Sequence, residues 1–237
     1  MLNTDSVTSI KIDDGTIVNA DINDSAAIAK TKLAALEIVN ADVNASAAIA
    51  GSKISPTFTT DGSFNSVNIG KGANSVAGNT VLGESALDAA VTGGNNTAIG
   101  KEALTANTSG TQNDAFGAFS LNTNTTGSFN VVTGTLAGFS ITGGSRNTLV
   151  GNSAGSAITT GGDNTFLGRK AGNSTTTASN NTAIGKDALF ANTTGTSNVA
   201  VGSLALDANT TANNNTSVGY ISLSANTDGF SNTAVGS

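Results

Sequence analysis

The residues in this chain that could do chemistry are a sparse set of carboxylates. The sequence has neither histidine nor cysteine, which removes the commonest general base, the commonest metal ligand and all thiolate chemistry. Paired carboxylates can hydrolyse glycosidic bonds. The acids considered for that role are Asp13, Asp14, Glu84, Asp88, Glu102, Asp163, Asp187, Asp207 and Asp228. No aromatic platform for a sugar accompanies them, so we interpret them as solvated surface acids and predict a protein that is not an enzyme.

Binding chemistry is equally poorly supported. Asp13, Asp14 and Gly15 could begin a calcium turn, but the acidic ligands that should follow are absent, so we interpret them as a turn and predict no metal site and no cofactor. The ten Lys and Arg residues are dispersed in a chain of net charge −6, so we expect no nucleic-acid partner. No apolar stretch approaches the roughly 20 residues that span a bilayer, so we expect no membrane insertion.

The carboxylates from Glu84 onward are positioned by a tandem repeat. Nine complete 17-residue units run from residue 84 to residue 236, after a shorter unit at 71–83. Each complete unit ends in Gly and carries Asn at its thirteenth position, and we predict that these are structural positions. They are Gly100, Gly117, Gly134, Gly151, Gly168, Gly185, Gly202, Gly219 and Gly236, with Asn96, Asn113, Asn130, Asn147, Asn164, Asn181, Asn198, Asn215 and Asn232. A disordered chain would not hold this spacing.

Other positions of the repeat vary together. Position eight is Thr in eight units, with Val91 as the exception, and position four is Leu in six units. Five of these six have Asn at position seven, and the sixth has Ala90. The remaining three units pair Gly at position four with a different residue at position seven; the pairs are Gly138 with Ile141, Gly155 with Ile158, and Gly172 with Thr175. We infer that one apolar slot in each unit is filled from position four or from position seven.

A unit of 17 residues is too short for a helix pair and fits one coil of a β-solenoid. The segment Asn-Thr-Ala-Ile-Gly is typical of a short strand closed by a turn. We therefore predict an all-β fold, a parallel β-solenoid or β-roll with coils about 4.8 Å apart, so that nine coils span roughly 40 Å. Stacking would align the asparagines into an amide ladder. The repeated Gly would lie where φ is positive or where two backbones come close.

The strand itself indicates an oligomer. Positions fifteen and sixteen are mostly apolar together, as in Ala98-Ile99 and Phe166-Leu167. Neighbouring residues of a strand face opposite sides, and the interior of one coil covers only one of them. The second face needs a partner, and the simplest one is another copy of the chain. This argument does not give the number of copies.

The N-terminal part has a different period, of 21 residues. Ile17–Asp21 recurs as Ile38–Asp42, and Ser25–Ala29 recurs as Ser46–Ala50. We interpret residues 1–54 as an attachment region of short strand–helix repeats, 55–66 as a linker and 67–237 as the solenoid shaft. Because solenoids normally end in atypical capping units, we expect the shaft to continue beyond residue 237.

Two resemblances cover nearly the whole chain. Residues 16–54 resemble the Ile-Val-Asn-Ala-Asp repeats of tail-fibre proteins from cyanobacterial viruses. The Asn-Thr-Ala-Ile-Gly repeats and residues 73–78 are similar to phage tail-fibre shafts and, more loosely, to the heads of YadA-type trimeric autotransporter adhesins. The resemblance implies a parallel homotrimer located on a virion, joined to other virion proteins through its N-terminal region. It also implies a C-terminal tip that binds a host-surface glycan or protein.

Two other functions stay open. A bacterial trimeric surface adhesin shares the trimer but needs a secretory signal and a membrane anchor, and Met1–Ser6 has neither the basic nor the apolar run of a signal peptide. A single-chain ice-binding solenoid would use the threonine column as a flat face.

Overall fold

Each 17-residue unit folds into one coil that contributes a single short strand. The computed structural model describes residues 62–237. The predicted strand–helix repeats of residues 1–54, and residues 55–61 of the predicted linker, lie outside the described residues. The strands are β1 (Gly62–Phe64), β2 (Val67–Gly70), β3 (Thr80–Gly83), β4 (Thr97–Ile99), β5 (Asp114–Phe116), β6 (Val131–Thr133), β7 (Thr148–Val150), β8 (Thr165–Leu167), β9 (Thr182–Ile184), β10 (Val199–Val201), β11 (Thr216–Val218) and β12 (Thr233–Val235).

The strands form one sheet in sequence order. From β3 to β12 every pairing is parallel, and each residue pairs with the residue 17 positions later, as Thr97 does with Asp114. At the N-terminal end β1 and β2 form an antiparallel hairpin that pairs with β3. Gly62–Phe64, within the segment predicted as a linker, is thus a strand of the sheet, the first among the described residues. Between residues 62 and 237 there is no α-helix, and the predicted all-β solenoid of 17-residue coils is confirmed.

The narrow core lies behind the sheet. The middle residue of each strand, at position fifteen, points inward, and Ala98, Leu149 and Phe166 are fully buried. The residues on either side of it, at positions fourteen and sixteen, point outward, as the two-residue period of a strand requires. Small Ala residues at position three and Leu at position four complete the interior.

Gly at position seventeen ends each strand for two reasons. At Gly117 the backbone has φ +135°, a region that side chains with a Cβ rarely adopt. A Cβ there would lie 2.7 Å from the carbonyl carbon of Gly134 in the next coil. Both parts of the sequence prediction, positive φ and close backbone packing, therefore hold at this residue.

Three other columns adopt left-handed backbone without needing glycine. Positions two, four and twelve have φ near +55°, for example Lys170 (57°), Leu104 (53°) and Phe129 (62°). This conformation costs roughly 1–2 kcal/mol for a residue with a Cβ. The coil turns sharply at these points, and the stacking of identical coils offsets the local cost.

The coupled core positions fill the same space in two ways. At position four Leu104, Leu121 and Leu189 are fully buried, whereas in the glycine units the buried side chains are Ile141 and Ile158. A Cβ on Gly155 would lie 2.7 Å from Ile158 Cδ1, so the two side chains compete for one slot. In the third glycine unit a Cβ on Gly172 would meet the ring of Phe166 from the preceding coil. Position fifteen is therefore coupled to positions four and seven, and the sequence pattern did not reveal this coupling.

The first complete coil is shifted by one residue in its middle. Val91, at position eight, is buried while Ala90 is exposed, so the inward slot of position seven is filled by the next residue. Thr92 then takes the place of the threonine column, and its hydroxyl donates to the carbonyl of Thr108 at 3.0 Å. Both irregularities of this unit, Ala90 and Val91, result from this single shift.

Candidate functional site

The repeated asparagines form a continuous buried ladder along the solenoid. The side-chain Nδ2 of Asn113 donates to Asn96 Oδ1 at 3.1 Å and to the carbonyl of Gly127 at 2.9 Å. Its own Oδ1 accepts from the backbone N–H and the Nδ2 of Asn130 at 3.1 and 3.0 Å. Every donor and acceptor of the amide is thereby used, which removes the cost of burying it. The same contacts start in the lead-in unit at Asn79.

The threonine column also joins adjacent coils. The hydroxyl of Thr108 donates to the carbonyl of Thr125 at 2.9 Å, and the hydroxyl of Thr125 donates to Thr142 at 3.0 Å. The pattern continues as far as Thr210 and Thr227. These hydroxyls thus have a structural use within the chain.

A second, shorter amide ladder occupies position seven. Asn124 donates to Asn107 Oδ1 at 2.9 Å and to the carbonyl of Gly127 at 3.0 Å. The next coil has Ile141 in place of Asn, and the buried Oδ1 of Asn124 has no hydrogen-bond partner. The ladder therefore ends where the isoleucine units begin.

The outer face of the sheet carries an exposed column of mostly apolar side chains beside a column that is mostly threonine. We define this outer face as the outward side chains at positions fourteen and sixteen of β3 to β12. Its sixteenth-position members are Leu82, Ile99, Phe116, Thr133, Val150, Leu167, Ile184, Val201, Val218 and Val235. Leu82 is 43% exposed and Leu167 is 47% exposed. The fourteenth-position members are Thr, Val and one Asp, so Asp114 is the single charged side chain of this face within the described strands.

The carboxylates considered for catalysis differ in exposure: Glu84, Asp88, Asp163 and Asp228 are exposed, whereas Glu102, Asp187 and Asp207 are partly buried. Glu84 pairs with Lys101 at 3.4 Å, and Asp163 accepts from the Nε and Nη2 of Arg146 at 2.6 and 2.9 Å. The hydrogen bonds from Arg146 lower the pKa of Asp163. Desolvation by burial raises the pKa of Asp207. Among residues 62–237 no three His, Cys, Asp or Glu side chains come together as metal ligands would; Asp13 and Asp14 lie outside the described residues.

Charge clustering was not found from the sequence, although a signal for it was present. The 17-residue period stacks Arg169 above Lys186 and Lys170 above Asp187. In the structure Asp187 lies 3.8 Å from Arg169 Nη2 and 3.1 Å from Lys186 Nζ. Comparing charges one coil apart would have predicted this cluster.

Comparison with known proteins supplied no relatives: no family model, no curated protein and no solved structure matches the chain. The part of the chain that the structure describes contains no helix long and apolar enough to cross a membrane.

Proposed function

We propose that the chain is the shaft of a parallel homotrimeric fibre on the outside of a virion, a tail fibre or related appendage, which holds out a receptor-binding tip for host attachment. The observation that carries this proposal is the outer face of the sheet. It runs along ten strands, roughly 43 Å at a strand spacing of 4.8 Å. Nothing within residues 62–237 covers it.

Such a face needs a partner on physical grounds. Parallel sheets are generally covered on both sides, and extended exposed apolar surface marks an interaction site. A second copy of the chain has a matching column of the same length. In a cyclic assembly of parallel copies the outer faces surround one axis and are all covered together.

The rest of the molecule fits a structural role better than a catalytic one. The buried asparagine side chains hold one coil on the next, and Glu84 and Asp163 form exposed ion pairs. In this proposal the N-terminal region joins the shaft to other virion proteins, and the tip contacts a host-surface glycan or protein. The resemblance of residues 16–54 to tail-fibre repeats favours a virion over a bacterial adhesin, the main alternative.

Native mass tests the fibre directly. Light scattering after size exclusion should give three times the chain mass of 23.1 kDa. Replacing Leu167 and Ile184 with lysine should reduce this mass toward that of one chain, because both side chains belong to the outer face and are 47% and 36% exposed in the single chain. The coil itself should stay folded, since neither residue belongs to the core.

The matched control places lysine at Thr194, which is exposed outside the sheet. That variant should keep the native mass of the parent chain. A folded parent chain with the mass of one copy would refute the fibre. Such a monomer would then be assayed for thermal hysteresis, the property that the ice-binding alternative requires.

A further inference from the structure

A shallow groove breaks the regular surface of the shaft on three successive coils. It is lined by Arg169, Lys170, Asp187, Phe190, Leu204 and Asp207 and has a volume of about 280 Å³. Its lining residues come from positions one, two and five of the repeat, outside the strand positions. This volume lies just below the roughly 300–1,000 Å³ of usual small-molecule sites, so the groove has room for one unit of a longer ligand.

The groove has a cationic end. Arg169 and Lys170 line it, and Lys186 lies beside it on the next coil. The guanidinium of Arg169 reaches Asp187 only at 3.8 Å, and its side chain is 51% exposed. It therefore has N–H donors free to bind a carboxylate in the paired geometry that arginine favours. At this end the three cations outnumber the one carboxylate, Asp187, and the excess positive charge favours an anionic ligand over a neutral one.

The middle of the groove presents an aromatic ring. Phe190 is partly buried between coils, and Lys170 Nζ lies 5.9 Å from the centre of its ring. Other coils carry Thr105, Asn122 or Asn173 at the equivalent position five, and each of these donates to a backbone carbonyl of the preceding coil. A phenyl group makes no such bond and leaves an apolar patch for the face of a ligand ring.

The opposite end of the groove carries the carboxylate of Asp207, which also occupies position five. An ionised carboxylate accepts hydrogen bonds and donates none. Its Oδ1 is buried and has no hydrogen-bond partner among the described residues, so a ligand reaches only the part of the carboxylate that lines the groove. A ligand hydroxyl would donate to the carboxylate there.

We propose that this groove binds an acidic sugar residue, a uronate unit of a polysaccharide. Its carboxylate pairs with Arg169 and Lys170, its ring lies against Phe190 and one hydroxyl donates to Asp207. The shaft would then hold a glycan site of its own, separate from the receptor-binding tip. The inference does not depend on the trimer, because all the lining residues belong to one chain.

Titration of the full chain with digalacturonate, followed by calorimetry, tests the site. We expect saturable binding by the parent chain. The affinity of R169A should be at least about tenfold lower, because a charge-assisted pair is lost. R169K keeps the positive charge but not the forked N–H donors of arginine, so its affinity should lie between those of the parent chain and R169A. R146A is the control: it removes an arginine of similar exposure that pairs with Asp163 and does not line the groove, and it should bind as the parent does.

Two competitors and one fold check complete the test. A neutral disaccharide, cellobiose, should not displace digalacturonate. If inorganic phosphate bound as tightly as digalacturonate and displaced it, the groove would be a simple anion site and the proposal would be overturned. Absence of binding in the parent chain, or an equal loss in R146A, would also overturn it. The urea midpoint of each variant separates loss of binding from loss of fold, and the native mass measured in the same samples separates this proposal from that of the fibre.

Discussion

Replacing Asn147 with alanine removes one rung from the middle of the buried ladder. The amide of Asn147 donates to Asn130 Oδ1 at 3.1 Å and to the carbonyl of Gly161 at 3.0 Å. It accepts from the backbone N–H and the Nδ2 of Asn164 at 3.2 and 3.0 Å. All four bonds lie in the interior, where water is excluded.

The expected cost follows from the groups left without partners. Asn130 Oδ1 keeps a donor, the backbone N–H of residue 147 at 2.9 Å. The carbonyl of Gly161 and two N–H groups of Asn164 lose theirs. At roughly 1–3 kcal/mol for each unpaired buried group, and with some relief from water entering the space, the loss is about 3–6 kcal/mol. That is a large part of the roughly 5–15 kcal/mol by which a domain is stable.

Urea unfolding followed by circular dichroism measures this loss. The matched control is Asn232→Ala at the last coil, where the side chain is only half buried and the hydrogen bond to Asn215 comes from the backbone N–H. We expect that variant to lose less than about 1 kcal/mol. The central variant should also unfold over a broader range of urea, because each coil of a solenoid is stabilised mainly by its neighbours. Equal midpoints for the two variants would refute the claim that the ladder holds the coils together.

Two further substitutions test single positions of the coil. Desolvation by burial is the main cause that raises the pKa of Asp207, and the charge of Asp187 raises it further. The stability that Asp207 contributes is therefore present below its unfolded pKa of about 3.9 and is lost as pH rises through the higher folded value. Asp207→Asn should therefore raise the free energy of unfolding at pH 7, by about 0.5–1 kcal/mol if the amide donates as Asn173 does. The gain should be smaller at pH 4, and a larger gain at pH 4 would contradict this. Gly151→Ala should lower the free energy of unfolding by at least about 3 kcal/mol, because φ is +134° and the Cβ would lie 2.5 Å from the carbonyl oxygen of Gly168 in the next coil. Gly143→Ala, where a Cβ would meet only the Thr126 hydroxyl oxygen at 3.3 Å, should cost under about 1 kcal/mol. Equal unfolding midpoints for the two variants would show that the close approach is unimportant.

The repeat period was enough to predict the coil, its strand and its ladder. A spacing of 17 residues leaves one way to stack identical units, so Thr97–Ile99 had to pair with Asp114–Phe116. The pairing of Gly155 with Ile158 could be predicted because both residues belong to one unit. In each of these features a residue type recurs at a fixed distance along the chain.

Other features depend on geometry that the residue types do not express. Leucine is a poor indicator of left-handed backbone, yet Leu104 adopts it because the turn of the coil demands it. The contact of Phe166 with Gly172 crosses from one unit to the next, so comparison within single units misses it. The shift at Val91 keeps the unit length at 17 and is therefore invisible to the spacing of the glycines. The hairpin β1–β2 carries no repeat motif of its own.

The amide ladder has a consequence for how this protein changes size. Each asparagine contacts only the coils immediately before and after its own. Deleting or duplicating 17 residues therefore preserves the ladder and the register of every other coil, provided that Phe166 stays next to a coil with glycine at position four. Each such event alters the length by about 4.8 Å. The length of the solenoid can therefore evolve in steps of one coil while the asparagine ladder stays the same.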